Sequence, residues 1–578
     1  MRTIFGIDSV HLTDEDGSPS GRKEFLCWNT PFKDPNDPSS GRGDSITEAA
    51  KIFAQLILRG VRTISFCRVR NVCELMLQAV RTQLQRLEHG DVVNRVMGYR
   101  GGYTPQDRRR IEKEMFEGHL LGIVATNALE LGVDIGSLDA VLIVNFPYSI
   151  SNLRQQSGRA GRRNKDSLSI LVGGAYPIDQ HYMSHPIELF TKPNLSLSID
   201  LENPLTLESH VQCAAYELPI EPQRDKIYFG SSLPSIAASH LLPDSSGFYN
   251  PSPRFLPSPS RLVPIRDTEE PGYAVVDTTN SRNIVLEELE PSRAPFTLYE
   301  GGIFLHQGRT YFVRSVSHSP QQLASVEAVN VSYTTSPRDF ADIDPTHTLL
   351  TSPLPHTTIS YGAITVSTKV FGYFKLDRRN RILDAVELDT PAITRHTHGV
   401  WIDLPPSILE LMVKHKLNPA AGIHAASHAI LSLLPTDGLR TECKAPEKEF
   451  AQVQTRRKLP GRLVFYEQRA AGGGRMAWEA MRGVLERARE RVEGCLCEKG
   501  CVECCLGNCK EGNLVVSKRG AGVVLRGVLG MVVDEEALEG KEEERGWDNG
   551  TVVPASFRRG RVESVQVKTE KGDERSGG

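Results

Sequence analysis

Two arginines and two glycines near residue 160 form a pattern that suits a polyphosphate. The run reads Gln155-Gln-Ser-Gly-Arg-Ala-Gly-Arg-Arg163, and its spacing places Arg159 and Arg162 on one face of a helix start. Guanidinium groups are planar, permanently charged and bidentate, and such an arginine can stabilise charge on a γ-phosphate during phosphoryl transfer. Gln155, Arg159 and Arg162 are therefore candidate catalytic residues. Gly158 is a candidate ATP contact because glycine lets the backbone approach a ligand closely. A solvated basic helix start is the simpler alternative.

A second polar pattern precedes it, Ile123-Val-Ala-Thr-Asn-Ala-Leu-Glu-Leu-Gly-Val-Asp-Ile-Gly136. It places Thr126 at the end of a predicted strand, where its hydroxyl can bond a nucleic-acid phosphate. Asp134 is placed to accept a hydrogen bond from a ribose, and Gly132 is a further candidate ATP contact. A turn aspartate is the alternative reading of Asp134. The order and spacing of the two patterns together favour a site that handles phosphates.

Basic residues also follow two other predicted strand ends. Arg68 comes directly after the predicted strand 62–67, and Arg100 and Thr104 lie in the run Tyr99-Arg-Gly-Gly-Tyr-Thr-Pro-Gln-Asp-Arg-Arg-Arg110. Helix starts that carry arginines favour phosphate, so Arg68, Arg100, Thr104 and Thr126 are the candidate DNA contacts. Solvated arginines beside an ordinary capped helix are the alternative. Because the net charge is −3, any nucleic-acid contact must be local.

Six of the eleven cysteines lie between residues 495 and 509. In a long chain with no export signal, such a cluster is typical of a metal site rather than a disulfide framework. Zn²⁺ takes four ligands in a tetrahedron and prefers thiolates in structural sites. The spacing favours Cys495, Cys497, Cys501 and Cys504 as ligands, with Cys509 as an alternate. A redox or disulfide role is the less favoured reading, and a closed four-cysteine site is structural rather than catalytic.

The first half of the chain predicts a scaffold that can position these residues. Between residues 46 and 200, helical patterns alternate with short apolar strand patterns, the helices at 46–59, 71–87 and 108–117 and the strands at 62–67, 121–125 and 140–145. Such alternation is typical of a doubly wound α/β parallel sheet. This fold presents polar residues to ligands at the carboxyl ends of its strands.

Composition shifts along the 578 residues predict several domains. We expect an end segment and connector at 1–45, the parallel-sheet domain at 46–200, a small helical segment with a Pro/Ser-rich linker at 201–265, a mainly β domain at 266–400, the Cys-cluster domain at 401–533 and a disordered charged tail at 534–578. No apolar run approaches the ~18 residues of a membrane span. No signal-peptide core follows Met1, so we expect a soluble protein that is not secreted.

Several segments together resemble the MrfA-type helicases, which are RecQ-like superfamily 2 enzymes of the DEAD/DEAH-box class with a C-terminal zinc-binding domain. The matching text comprises the patterns above, Tyr299-Glu-Gly-Gly-Ile-Phe-Leu-His-Gln-Gly308, His424-Ala-Ala-Ser-His428, Arg440-Thr-Glu-Cys-Lys444, Gly472-Gly-Gly474 and the cysteine cluster. The similarity extends to about residue 530, and it is greatest to the RecQ-four-like, fungal branch.

The resemblance implies a RecA-like domain at 46–200, then a winged-helix-like segment, a mainly β region and an α+β zinc-binding domain. It implies ATP-driven 3′-to-5′ unwinding of DNA, a role in DNA repair and a location in the nucleus. The implied cofactors are ATP with Mg²⁺ and structural Zn²⁺, and the implied partners are single-stranded or forked DNA and DNA-repair proteins. In that picture Thr126 and residues 99–110 touch DNA, whereas Arg159 and Arg162 reach across a cleft to ATP.

The chain departs from the family's pattern in one respect that decides its chemistry. The family's first RecA-like domain carries Gly-x-x-x-x-Gly-Lys-[Ser/Thr] and Asp-Glu-x-His, and neither occurs in these 578 residues. Because hydrolysis requires that lysine and those carboxylates, we expect the chain alone to lack ATPase activity, and we interpret 1–45 as the end of that domain with a connector. Arg154 also stands where an aromatic residue is usual, and Val502 where a proline is common.

Two hypotheses about function follow. The chain is the C-terminal portion of an ATP-dependent DNA helicase, supplying arginine fingers, DNA contacts and a zinc domain. Alternatively, it is a motor-less, zinc-containing nucleic-acid-binding or scaffold protein. An enzyme acting on small solutes is disfavoured, because the sequence offers no paired acid and base for a substrate pocket.

Overall fold

A six-stranded parallel sheet forms from the alternating segments in the first half of the chain. The computed structural model describes residues 7–13, 17, 21–131, 136, 138–161, 165–194, 201, 203–263, 272–318, 321–377, 381–435, 438–441, 461–467, 473–507 and 516–538. The first strands are β1 Lys23–Asn29, β2 Phe32–Asp34, β3 Asp37–Arg42, β4 Thr63–Cys67, β5 Val96–Tyr99, β6 Gly122–Ala125, β7 Ala140–Val144 and β8 Ser167–Gly173. The sheet order is β1-β8-β7-β4-β6-β5, while β2 and β3 form a separate hairpin.

Helices cover both faces of this sheet, as a parallel sheet requires. They are α1 Ser45–Leu58, α2 Arg70–Arg86, α3 Pro105–Phe116, α4 Ile150–Ser157, α5 Pro177–Ser184 and α6 Glu188–Thr191. On one face Phe53 of α1 and Leu77 of α2 pack against the sheet. On the other face Met115 of α3 and Leu153 of α4 do so. The predicted doubly wound parallel sheet is confirmed.

The strand β1 corrects the prediction for residues 1–45. That segment is predicted as the end of a preceding domain and a connector, but β1 pairs with β8 from Lys23↔Ser167 to Asn29↔Gly173. Phe25 and Cys27 pack into the core on one face, whereas Leu26 and Trp28 are 42 % and 39 % exposed on the other. Because this short apolar run lacks the polar alternation of a half-buried strand, its pattern does not distinguish a strand from a connector.

A small helical unit follows the parallel sheet. It contains the helices α7 Pro204–Glu217, α8 Pro222–Phe229, α9 Leu233–His240 and α10 Pro259–Leu262 and the two-stranded hairpin of β9 Leu242–Pro243 and β10 Tyr249–Asn250. Its own core includes Val211, Leu233 and Ala237. Helices packed beside a short hairpin form the predicted winged-helix-like segment.

The next unit is a five-stranded sheet in the order β12-β11-β15-β14-β13. Its elements are β11 Tyr273–Asp277, β12 Ile284–Leu289, α11 Ala294–Thr297, β13 Ile303–His306, β14 Arg309–Ser317 and β15 Leu323–Val329. The turn between β13 and β14 contains Gln307 and Gly308, both with positive φ, as two-residue hairpin turns require. The Gln307 side chain bonds the backbone N–H and C=O of Gly98 at 3.2 Å each. The turn therefore covers β5, an edge strand of the parallel sheet.

A third, antiparallel sheet carries the rest of the described chain. Its strands are β16 Thr334–Pro353, β17 Thr358–Leu376, β18 Ile382–Glu387, β19 Ile393–Asp403, β20 Leu439–Thr441 and β21 Arg462–Glu467, and its helices are α12 Pro406–Lys414, α13 Pro419–Leu431, α14 Gly474–Gly494 and α15 Lys518–Val528. The predicted boundary between residues 400 and 401 falls inside β19, which pairs with both β17 and β21. The mainly β region and the Cys-cluster region therefore share one sheet, and the structure does not divide there.

The helix α13 lies at the centre of this last unit and is buried on all sides. It crosses α15 where Gly422 meets Gly520. A Cβ atom on Gly422 would lie 2.9 Å from the Gly520 carbonyl carbon, and one on Gly520 would lie 2.8 Å from Gly422 Cα. Both positions need glycine because the two helix backbones touch.

Some predicted features lie outside the described residues. These are Gly132, Asp134, Arg162, Cys509 and residues 539–578, which make up most of the predicted charged tail. Within the described part of the chain, no helix is both long enough and apolar enough to cross a membrane.

A buried ion network joins the parallel sheet to the five-stranded sheet. Arg100 is 2 % exposed; its Nε donates to Glu74 of α2 at 2.8 Å, and its Nη2 lies 2.6 Å from Glu287 of β12. The Tyr103 hydroxyl donates to Glu74 at 2.6 Å, and His306 Nδ1 lies 3.2 Å from Glu287. Burial alone would lower the pKa of Arg100, but the two carboxylates outweigh it and raise that pKa well above its usual value.

We expect Glu287→Gln to lower the free energy of unfolding by about 3 kcal/mol, because Arg100 would remain buried with part of its countercharge removed. Burial acts to raise the pKa of Glu287, yet Arg100 and His306 lower it overall. The stabilisation is therefore present at neutral pH and is lost as the pH falls through the depressed folded pKa. Urea unfolding at pH 7 and in acid measures both effects.

Glu288→Gln is the matched control, because the neighbouring Glu288 is exposed. Its unfolding midpoint should stay at the wild-type value. Equal midpoints for the two variants at pH 7 would contradict a stabilising role for the network.

Candidate nucleic-acid interface and metal centre

A cavity of about 1100 Å³ opens where the three sheets meet. We call this cavity the cleft. The parallel sheet contributes residues that follow β4 and β6, which are adjacent strands. Because neighbouring parallel strands end at the same edge of a sheet, Arg68 and Thr126 reach the same opening. The other polar and aromatic residues of the lining include Arg70, Tyr148, Arg293, Phe296, Tyr299, Asp339, Arg395, His424, His428 and Arg440.

Arg68 is held in the cleft wall by Asp179. Its Nη2 lies 3.1 Å from Asp179 Oδ1, and its guanidinium lies over the Tyr176 ring at 5.6 Å. Asp179 is fully buried and also accepts hydrogen bonds from the backbone N–H groups of Phe146 and Gly174, at 2.9 and 2.8 Å. These hydrogen bonds hold the Asp179 carboxylate in one position. The carboxylate in turn holds the Arg68 guanidinium through the ion pair. Asp179 is a positioning residue that the sequence analysis missed.

Of the four predicted DNA contacts, Arg68 and Thr126 line the cleft, where Arg68 is half-buried and Thr126 is only 5 % exposed. Thr104 instead caps α3, its hydroxyl accepting from the Asp107 N–H at 3.2 Å. Arg100 borders the cleft but is 2 % exposed. The Arg100 guanidinium is buried against two carboxylates and the Leu305 carbonyl, and its contact with DNA stays a prediction. In this structure Arg100 is an ion-pair residue between two sheets.

Ion pairs also hold other arginines of the cleft. Arg70 makes two bonds to Glu290, at 3.2 and 3.0 Å, and Arg293 lies 3.8 Å from the same carboxylate. Burial acts to raise the pKa of Glu290, but the hydrogen bond from Arg70 leads the groups that lower it overall. The cleft therefore combines fixed cations with fixed carboxylates rather than presenting a uniformly basic surface.

The predicted phosphate-handling run lies in α4 and the turn after it. Gln155 and Gly158 are exposed, whereas Arg159 is 8 % exposed. The Arg159 side chain donates from Nε to the Glu130 carbonyl at 2.8 Å, and Gln156 Nε2 donates to the Glu130 carboxylate at 2.8 Å. Glu130 thus joins the two sequence patterns that the sequence analysis singled out, although that analysis gave it no role. The predicted partners Arg162, Gly132 and Asp134 lie outside the described residues.

Two histidines of α13 face each other at the cleft. His424 and His428 are 4 % and 9 % exposed, and their Nε2 atoms lie 2.9 Å apart. One Nε2 must donate and the other accept at this distance, so the pair shares a proton. In the sequence these two histidines are notable only as part of the resemblance. Their position beside the RecA-like domain could not be predicted, because nothing in their spacing indicates it.

Four cysteines come together after α14. The Sγ atoms of Cys495, Cys497, Cys501 and Cys504 all lie within 4.8 Å of one another, with neighbouring sulfurs 3.4 to 3.7 Å apart. A tetrahedron with Zn–S distances of about 2.3 Å has edges of about 3.8 Å. The four predicted ligands are therefore spaced as a closed zinc site requires. The alternate ligand Cys509 lies outside the described residues.

A lysine from a distant helix brings positive charge to this cluster. Lys518, at the start of α15, donates from Nζ to the carbonyls of Cys495 and Cys497 at 2.6 and 2.5 Å. Hydrogen bonding from the backbone of Cys497 lowers the pKa of Cys495 to about 7, whereas burial raises the pKa of Cys497 and that of Cys501. Lys518 was not predicted, because it lies more than a dozen residues beyond Cys504 in the sequence.

Three family models match the chain in the order of these units. The helicase conserved C-terminal domain matches residues 48–164, the winged helix domain of ATP-dependent helicase HRQ1 matches 199–268, and the MrfA Zn-binding domain matches 424–505. The chain is 47% identical to ATP-dependent helicase HRQ1 of Saccharomyces cerevisiae, over 92% of this chain and 50% of that protein. It is 43% identical to hrq1 of Schizosaccharomyces pombe, over 92% of this chain and 51% of that protein. The chain is similar to the HRQ1 and MrfA helicases along most of its length.

The solved structures of this family extend the match to the fold. A crystal structure of the helicase MrfA bound to DNA superposes with a TM-score of 0.71 at 27% identity, covering 89% of this chain and 68% of that chain. MrfA bound to DNA and AMPPNP gives 0.68 at 26% identity, covering 89% and 66%. The HRQ1/MrfA resemblance stated from the sequence is confirmed, and the Zn-binding match supports the predicted structural zinc. This chain spans about half the length of the curated fungal relatives it matches.

We expect Cys497→Ser to lose the zinc of the cysteine cluster and to lower the thermal stability of the C-terminal unit, because a serine hydroxyl replaces one of four thiolates. Metal analysis of the purified protein and thermal unfolding measure the two effects. Cys213→Ser is the control, since Cys213 lies in the winged-helix unit outside the cluster. A Cys497 variant that lost zinc yet unfolded at the wild-type temperature would contradict a structural role for the metal.

Proposed function

We propose that this chain is the C-terminal portion of an ATP-dependent, 3′-to-5′ DNA helicase that acts in DNA repair, and that its cleft holds the DNA. The observation that carries the proposal is the cleft itself, together with the superposition on MrfA bound to DNA over 89% of this chain. Location in the nucleus and contacts with DNA-repair proteins belong to the same proposal and rest on the resemblance to the MrfA-type helicases alone.

The lining of the cleft suits a single strand of nucleic acid. Proteins that bind single strands combine cations that follow the backbone with aromatic rings on which bases stack. Arg68 and Thr126 come from the parallel sheet, Phe296 and Tyr299 from the unit of the five-stranded sheet, and Arg440 from the third sheet. A strand in the cleft would therefore touch all three sheets, with Arg68 and Thr126 at its phosphates.

The phosphate-handling run is proposed to serve ATP with Mg²⁺ bound by a second RecA-like domain. Gln155 and Gly158 are exposed at the end of α4, where a facing domain can reach them. In this proposal Arg159 and Arg162 stabilise the charge that develops on the γ-phosphate, while Gly132 and Asp134 contact the nucleotide. The inward bond from Arg159 to the Glu130 carbonyl would then be exchanged for a phosphate contact on ATP binding.

A second candidate function is a zinc-containing nucleic-acid-binding or scaffold protein without motor activity. The observations that favour it are the cleft and the four-cysteine cluster, both of which this chain contains by itself. Both candidates use the same cleft, so DNA binding alone does not separate them. They differ in whether the arginines of the phosphate-handling run contribute to ATP hydrolysis.

We expect Arg68→Gln to weaken binding to single-stranded DNA of any sequence, because it removes one phosphate contact. The slope of log K against log salt concentration should fall by about 1, measured by fluorescence anisotropy over a salt series. Arg59→Gln is the matched control, because Arg59 is exposed on the parallel-sheet domain and bonds Gln55 rather than lining the cleft. Equal slopes for the two variants would overturn the placement of DNA at Arg68.

We expect Arg162→Ala to abolish ATP hydrolysis in a motor completed with the part of S. cerevisiae HRQ1 that this chain does not cover. Loss of an arginine finger should reduce kcat at least about 1000-fold, while DNA binding stays at the wild-type level. DNA-stimulated ATPase assays of the fusion measure it, with Arg163→Ala as the neighbouring control. If the unmutated fusion shows no turnover, the motor-less alternative is favoured. If the Arg162→Ala fusion is fully active, Arg162 has no part in the mechanism.

A further inference from the structure

We propose that His181, His185 and Glu188 of the RecA-like domain form a second divalent-metal site of the zinc class. One potential ligand atom from each of the first three residues lies within 4.8 Å of the other two. The site would lie where the RecA-like domain meets the zinc-binding domain. It is separate from the four-cysteine cluster and from the cleft.

The local structure presents the two imidazoles side by side. His181 lies in α5 and His185 follows its last residue, four positions on, so both lie on one face of the helix. Their rings stack with centroids 4.9 Å apart. Paired histidines at this helical spacing are a recurrent way to hold zinc.

The hydrogen bond of His185 leaves a nitrogen available for a metal. Its Nδ1 lies 3.1 Å from the His181 carbonyl oxygen, and a carbonyl oxygen only accepts hydrogen bonds. Nδ1 therefore carries the proton, so that in the neutral ring Nε2 keeps its lone pair. A backbone carbonyl that orients a histidine through its other nitrogen is the usual support of a metal ligand.

Two carboxylates converge on His181 from different domains. Its Nε2 lies 2.8 Å from Glu188 Oε2 and 3.5 Å from Glu503 Oε1. Glu188 begins α6 of the RecA-like domain, whereas Glu503 lies between the candidate zinc ligands Cys501 and Cys504. Two imidazoles and the Glu188 carboxylate make a three-donor set with a fourth position open to water, which suits Zn²⁺ better than Mg²⁺ or Ca²⁺ because the latter prefer all-oxygen sites.

A tethered cation already lies at this position. Lys192 Nζ is 2.7 Å from Glu188 Oε2 and 3.7 Å from Glu503 Oε1. The paired carboxylates thus require a positive charge between them, and a bound Zn²⁺ would take over that role from the Lys192 ammonium.

The proposal is tested by counting zinc ions in the full 578-residue chain after removal of loosely bound metal. We expect about two zinc ions per wild-type chain, one in each site. The double variant His181→Gln/His185→Gln should hold about one, because glutamine keeps the helix but is a poor zinc ligand. His119→Gln is the control, since His119 is an exposed histidine of the same domain beside Glu117, and it should hold two.

Cobalt substitution separates loss of the site from loss of folding. Thiolate-to-cobalt charge-transfer absorption reports the cysteine cluster alone, because the second site contains no sulfur. The double variant should keep this absorption at full intensity while losing one cobalt equivalent. One zinc per wild-type chain, or two in a double variant with intact absorption, would overturn the proposal. If the double variant misfolds, Glu188→Gln replaces it and must also lose one equivalent.

Discussion

The buried contact of Arg100 with Glu74 and Glu287 determines how the first two sheets of this protein meet. Its three charged side chains are 2 %, 1 % and 0 % exposed, so the charges can be accommodated only if the two sheets keep one arrangement. Removing ions from water costs several kcal/mol each, and only well-formed hydrogen bonds offset that cost. The Gln307 turn on β5 adds a second contact between the same sheets. The wall of the cleft that carries Phe296 and Tyr299 is therefore positioned from the RecA-like domain.

The same contact explains Gly102 of the Tyr99–Arg110 run and Gly98, which comes just before it. A Cβ atom on Gly102 would lie 2.9 Å from Arg100 Nη1, and one on Gly98 would lie 2.7 Å from the Tyr103 hydroxyl. These positions are small because an ion network fills the space beside them, and not because the turn must bend around a ligand. In the sequence this run resembles a phosphate-binding turn. In the structure its first half forms the contact between two domains.

Local sequence patterns predicted the elements whose structure depends mainly on residues close together in the sequence. The buried strands Thr63–Cys67 and Ala140–Val144 and the helix Ser45–Leu58 follow from hydrophobic periodicity, and the four cysteines follow from ligand spacing. Asp179 at Arg68 and Glu287 at Arg100 could not be predicted, since each pair is separated by more than a hundred residues. The strand Lys23–Asn29 was not predicted, because its apolar residues point to both faces of the sheet. The burial of Arg100 in ion pairs could not be predicted, because an exposed and a buried arginine look identical in a sequence.

The contact between Gly422 and Gly520 has a consequence for synthesis on the ribosome. The helix Pro419–Leu431 is buried around its whole circumference, and its cover includes Lys518–Val528, which is translated much later. Until those residues emerge, the apolar face around Gly422 stays uncovered, and such surfaces attract chaperones or other unfinished chains. A stop codon between the two helices would remove the metal-binding cysteines or the Lys518 that bonds their loop. It would also remove the helix Lys518–Val528, which covers Pro419–Leu431. It would leave a product prone to aggregation and rapid degradation.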